Sequence, residues 1–315
     1  MNNFKKIGLT ALAGSLVTLG SAVAGEMSVS GGINTTLKFG KGGGNTTRSI
    51  GADKDVAFSG GGELDNGTTF SMTATGNDAH GISSSTTTIT TPSLGSFAIG
   101  SSSGSAAYMY DEEVPMAYEQ VSDGKDTMAN KVGDFMDNNS VMYTSPTLEM
   151  MGASITAHLG YTPQATDAAA GDGAQLTYSE TIGAGKEAGI TIAYEGLKVG
   201  FYGAERDRTV PQTAAASGNY QHDEFNGAWY AKYSAGPVSI GYSETYADAG
   251  VTSAISTSST TTAKTRRSGG GIYTSESMSI AFNVNDNMSI SYTTADETYD
   301  TQDDAKTATT TDDDV

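Results

Sequence analysis

Two groups of fixed charges are the residues in this chain with the means to act on other molecules. One is an acidic stretch with Tyr110 at its head, followed by Asp111, Glu112, Glu113, Glu119 and Asp123. The other is a scattered set of cations, Lys38, Lys198, Arg206, Lys232 and Arg267. Charges lining a watery path sort ions and solutes without making or breaking a bond. Covalent chemistry needs more than this chain offers. Gly100-Ser101-Ser102-Ser103-Gly104 fits G-x-S-x-G, but it lies in a Ser/Gly run with no helix after it. A nucleophile elbow needs strand, turn and helix in that order. Gly183–Glu187 resembles a phosphate loop, yet Glu187 stands where Ser or Thr must reach Mg²⁺. His80, His158 and His222 lack the spacing of metal ligands and read as loop or lumen residues. Asp303-Asp304 and Asp312–Asp314 could attract Ca²⁺ but follow no calcium-loop pattern. No catalytic residue, metal or cofactor is expected.

The elements that must carry these charges are short strands. In Ser279–Tyr292, Ile280, Phe282 and Val284 point one way and Ser279, Ala281 and Asn283 the other. After Asn285-Asp286-Asn287, Met288, Ile290 and Tyr292 alternate with Ser289, Ser291 and Thr293. The same rhythm runs back to about Met27. Strand one covers about 27–39. Strands two and three form a hairpin around Asp65-Asn66-Gly67, and Asn-Gly is a strong hairpin signal. Strands four and five, about 85–91 and 96–100, meet at Pro92-Ser93-Leu94-Gly95. The acidic stretch lies in a long interruption, about 101–139. Strands six and seven follow at about 140–145 and 152–161. Later hairpins turn at Glu195-Gly196, at Ala235-Gly236-Pro237 and at 285–287.

About thirteen strands result, and short connections alternate with longer ones. Residues 175–181 also look like a strand but are assigned to the long loop after strand seven. Arg48 and Arg208 are expected in external loops. An apolar face backed by small and polar residues, repeated in this way, is the pattern of a transmembrane antiparallel β-barrel. Parity puts Lys38, Lys198, Arg206, Lys232 and Arg267 on the polar side. Tyr143, Tyr161, Tyr194, Trp229, Tyr233, Tyr242 and Tyr292 fall on the apolar side, where an interface girdle belongs.

The N-terminus reads as an export signal over residues 1–24. Lys5 and Lys6 precede an apolar stretch, and Ala22-Val23-Ala24 is a small-x-small cleavage site. Residues 25–299 would form the barrel, and 300–315 an acidic, Thr-rich tail. No stretch is long and apolar enough for a transmembrane helix. Cysteine is absent, so disulfides do not hold this exported chain together. The net charge is −19, and it becomes more negative once Lys5 and Lys6 are removed. That excludes a nucleic-acid partner, which needs a basic surface. Forty glycines against six prolines suit closely spaced, curving strands.

Asn138-Asn139-Ser140-Val141-Met142-Tyr143-Thr144-Ser145-Pro146 resembles the sixth strand of Gram-negative general porins, just after their constriction loop. Residues 1–32 and Val284–Tyr292 are also similar to porins of marine alphaproteobacteria. The resemblance implies an all-β, porin-like barrel of sixteen strands in the outer membrane, assembled as a homotrimer among lipid and lipopolysaccharide. It implies passive passage of small hydrophilic solutes and ions, with the loop after strand five folded into the pore. By that analogy Tyr110, Asp111, Glu112, Glu113, Glu119 and Asp123 face the basic wall and set up a transverse field. The acid excess then gives a weak preference for cations. Such barrels end in a strand with a terminal aromatic residue, whereas this chain ends Asp312-Asp313-Asp314-Val315. The expectation is a C-terminus lacking the last three strands. A reading from a different class is an exported β-rich binding or adhesion protein, whose apolar faces would be buried in a sandwich core.

Overall fold

The computed structural model describes residues 26–42, 45–76, 82–101, 105–111, 113–116, 132–137, 140–163, 165, 182–208, 222–248, 250, 272–286 and 288–300. The expected signal sequence, the stretch 175–181, His80, Arg267, Glu112, Glu119, Asp123 and the tail beyond Asp300 lie outside these residues. The chain divides into two compact units, Met1–Ser103 and Gly104–Val315.

The first unit is an antiparallel meander: β1 (Glu26–Gly42), β2 (Asn45–Glu63), β3 (Thr69–Gly76), β4 (Ile82–Thr91) and β5 (Gly95–Ser101). Gly67 and Gly95 take positive φ at their turns, as those turns require of a glycine. Thr91 Oγ1 caps the β4–β5 turn, accepting from Leu94 N at 3.0 Å. The β1–β2 connection departs from the sequence reading. Both strands run on until Gly42 pairs with Asn45, where a longer loop is expected. Arg48 therefore lies in β2, and Arg208 ends the strand Leu197–Arg208, so neither lies in a loop.

The second unit begins with an irregular segment bearing a single-turn 3-10 helix at Ala107–Met109, and a second such turn at Asp134–Met136. Then come β6 (Ser140–Thr144), β7 (Leu148–Met150), β8 (Ala153–Thr162), β9 (Ile182–Tyr194), β10 (Leu197–Arg208), β11 (Glu224–Ala235), β12 (Val238–Asp248), β13 (Ile272–Asn285) and β14 (Met288–Asp300). β6 and β7 pair in succession with the same strand, β8. Pro146 separates them because it has no N–H to give the ladder. Ser145 bridges the break, its N–H on Ala157 O and its Oγ accepting from Ala157 N, both at 2.9 Å. The β9–β10 turn places Glu195 and Gly196 both at positive φ, the geometry of a two-residue hairpin that follows the strands' twist.

The barrel expectation is corrected here. The described strands make a fourteen-stranded antiparallel sheet whose order begins at β1 and ends at β14. Each of those two strands has one partner, so hydrogen bonding does not close the sheet into a barrel. The count also exceeds the expected thirteen, by the fragment β7 that Pro146 cuts from β6.

The two faces of the second unit differ as the alternation requires. On β13, Tyr273, Ser275, Ser277 and Ser279 are buried, while Met278, Ile280 and Phe282 are open. On β11, Asn226, Ala228 and Tyr230 are buried, while Phe225 and Tyr233 are open. The small and polar face is therefore the covered one and the apolar face is bare. A water-soluble sandwich has the reverse arrangement.

Candidate functional site

The covered face of β8–β13 holds the segment that precedes β6. Tyr110 is its centre and is fully buried. Its ring stacks on Tyr202 at 5.4 Å and lies tilted to Tyr230 at 6.2 Å. It meets His158 edge-on at 5.8 Å. Aromatic pairs of this kind each contribute about 0.5–1.5 kcal/mol beyond burial. Burial pushes the Tyr110 hydroxyl up to about 12, so it keeps its proton. It lies in hydrogen-bond contact with His158 Nδ1 at 2.6 Å and accepts from Thr191 Oγ1 at 3.4 Å.

Glycines make room for this ring. A Cβ on Gly189 would stand 2.6 Å from the Tyr110 ring, and one on Gly200 would stand 2.3 Å from Tyr230 and 3.0 Å from Tyr110. The floor under the segment is thus bare backbone from adjacent strands.

The start of the segment is held by Glu187, which is 4 % exposed. Its Oε2 accepts from Ser105 Oγ at 2.9 Å and Tyr202 OH at 2.8 Å, and its Oε1 from Ala106 N at 3.0 Å. The far end is held by Pro115, whose carbonyl accepts from Ser279 Oγ, and by Glu113, which pairs with Lys232. The 3-10 turn at Asp134–Met136 buries Phe135 and Met136 in the same cluster. Arg206 lies over the Phe135 ring at 5.0 Å, pairs with Glu224 and donates to Ala165 O at 3.0 Å.

The residues singled out in the sequence divide as follows. Tyr110, Asp111 and Glu113 lie on the inserted segment, with Tyr110 and Asp111 buried. Lys198, Arg206 and Lys232 all lie on the covered face, and both Lys198 and Lys232 place an ammonium over Tyr230, at 5.7 and 5.5 Å. Glu113 and Lys232 are in direct contact, not separated by a lumen. Lys38 lies in β1, within the first unit. Glu187, His158, Tyr202 and Tyr230 were not picked out for this role. The signal that finds them is their parity, each falling on the polar side of a strand and near a glycine of the neighbouring strand. Elsewhere, Glu205, Asp207 and Asp223 bring carboxylate oxygens within 4.8 Å of one another. Solvated acids gather in this way without a cation. His222 Nε2 lies 2.9 Å from Asp248.

The sequence matches no family model and no curated protein. The fold does have solved relatives. OmpF of Salmonella typhi, solved in complex with daunomycin, superposes with a TM-score of 0.59 at 11% identity, covering 90% of this chain and 82% of that one. An anion-selective porin from Comamonas acidovorans gives 0.57 at 14% identity, covering 88% and 80%. The chain shares the general fold of bacterial outer-membrane porins.

Proposed function

We propose that this protein serves porin-type passive transport in the outer membrane, passing small hydrophilic solutes and ions along its polar face. The observation that carries the proposal is the inverted distribution of side chains in a porin-like sheet. Met278, Ile280, Phe282, Ile290 and Tyr292 are exposed on one face, while serines, glycines and paired charges occupy the other. An apolar surface of that kind is stable against hydrocarbon and not in water. The segment carrying Tyr110, Asp111 and Glu113 lies over the polar face and narrows the path. Charge selection falls to its acids and to Lys198, Arg206 and Lys232. A weak cation preference, export by the leader in residues 1–24, and a homotrimer among lipopolysaccharide belong to the same proposal.

The test is reconstitution into planar bilayers under a salt gradient. Stepwise unit currents with a reversal potential of the cation-selective sign are the expected result. A protein that leaves the membrane fraction without detergent and carries no current would overturn the reading. Detergent cross-linking reads the trimer separately.

A further inference from the structure

We infer that Glu187 is a positioning residue, a buried carboxylate that fixes where the inserted segment begins and how far it stands off the sheet. The inference rests on the transport reading above and assigns a task to a residue that has no part in a phosphate loop. Three donors converge on its two oxygens: Ser105 Oγ, Ala106 N and Tyr202 OH, at 2.8–3.0 Å. Ser105 Oγ in turn accepts from Ala107 N at 3.0 Å, so the first residues of the segment are tied to one another as well as to β9. No Lys, Arg or His forms an ion pair with this carboxylate among the described residues. An unpaired buried carboxylate is costly, and its hydrogen bonds must meet that cost. Its donors come mainly from the inserted segment, so the carboxylate is satisfied only while the segment is docked.

Two neighbours extend the hold. Tyr202, which donates to Glu187, is the ring on which Tyr110 stacks. The carboxylate and the aromatic centre of the segment therefore share one support. Gly160 of β8 leaves the space that Glu187 fills, since a Cβ there would stand 2.2 Å from Oε1 and 2.4 Å from Cγ.

The experiment compares full-length wild type, E187A, E187Q and G160A in planar bilayers, with heat-modifiable mobility as the check on folding. E187A removes all three acceptor contacts, so unit conductance rises and open-state flicker appears. E187Q keeps an amide oxygen for Ala106 N and turns its NH2 to the Ser105 and Tyr202 hydroxyls, which accept as well as donate, so it stays near wild type and separates positioning from charge. G160A keeps the carboxylate but pushes it aside, and follows E187A. Folded E187A or G160A with wild-type conductance and noise overturns the inference, as does E187Q behaving like E187A. Limited proteolysis between Ser101 and Pro115 reads the same latch without current. Faster cleavage in E187A and G160A supports it, and unchanged cleavage sinks it. Absence of current from the wild type counts against the transport reading alone.

Discussion

Glu113 and Lys232 each cancel a charge that solutes would otherwise meet, at side-chain exposures of 25 and 27%. Removing one uncovers the other. E113Q is expected to shift the reversal potential toward anions and K232Q toward cations, with the double variant close to wild type. A partly exposed pair contributes only about 0.2–1 kcal/mol, so the melting temperature of each variant should barely move. Tyr110 gives a second expectation. Its hydroxyl is raised to about 12 from the usual 10.0, chiefly by burial. The unfolded chain loses this proton first, so stability present below pH 10 is lost as pH climbs toward 12. Y110F should flatten that part of the alkaline stability profile, measured as apparent melting temperature against pH. Residue types were legible in the sequence, and contacts much less so. Glu113 and Lys232 are 119 positions apart, and only the register of β11 brings them together. In the sequence Glu187 reads only as the residue that breaks a phosphate-loop pattern, and its contacts with Ser105 and Ala106 are not legible there because those partners are more than eighty positions away.

Strands were the most legible elements. Two-residue alternation and turn glycines located the β2–β3, β4–β5, β9–β10, β11–β12 and β13–β14 hairpins, since both signals are local. Two features needed more than local pattern. Pro146 splits a strand without ending its pairing to β8. The β1–β2 hairpin continues through Lys41-Gly42, where glycines read as loop but cross-strand pairing holds. The glycine floor yields an expectation at this scale. A Cβ on Gly241 would stand 2.4 Å from Pro115 Cδ. G241A should lift the far end of the inserted segment while leaving the sheet intact. Faster proteolysis near Pro115 with unchanged far-ultraviolet circular dichroism is the expected reading.

For the molecule as a whole, the bare apolar face sets the strongest constraint. Ile280 lies on it, 50% exposed, facing Ile240 and Tyr292 on neighbouring strands. A lysine at mid-bilayer costs about 2–4 kcal/mol in such a sheet. On the transport reading, I280K should lose stability of up to that order in lipid vesicles, measured by denaturant titration, and an unchanged midpoint would count against a lipid-facing Ile280. The sheet's ends at β1 and β14 impose a second condition. An unpaired backbone group in hydrocarbon costs several kcal/mol, so those edges must be covered wherever the sheet meets lipid. The sequence signalled the all-β class and its two faces, because both follow from side-chain period. Closure was not legible, because it depends on whether the first and last strands meet.

The β1–β2 hairpin is far longer than a membrane needs. Its arms hold 17 and 19 residues, against the roughly 9–11 that cross a bilayer. At about 3.4 Å per residue each arm reaches roughly 60 Å. Tilted by about 40°, it rises some 20 Å past an apolar band of about 25 Å. On the transport reading, with a crossing that starts near Met27, the paired residues Gly42 and Asn45 are carried out into the medium around the cell. On the same reading, an epitope inserted between Gly42 and Asn45 should be stained by antibody on intact bacteria, and no staining would place that end on the other side of the membrane.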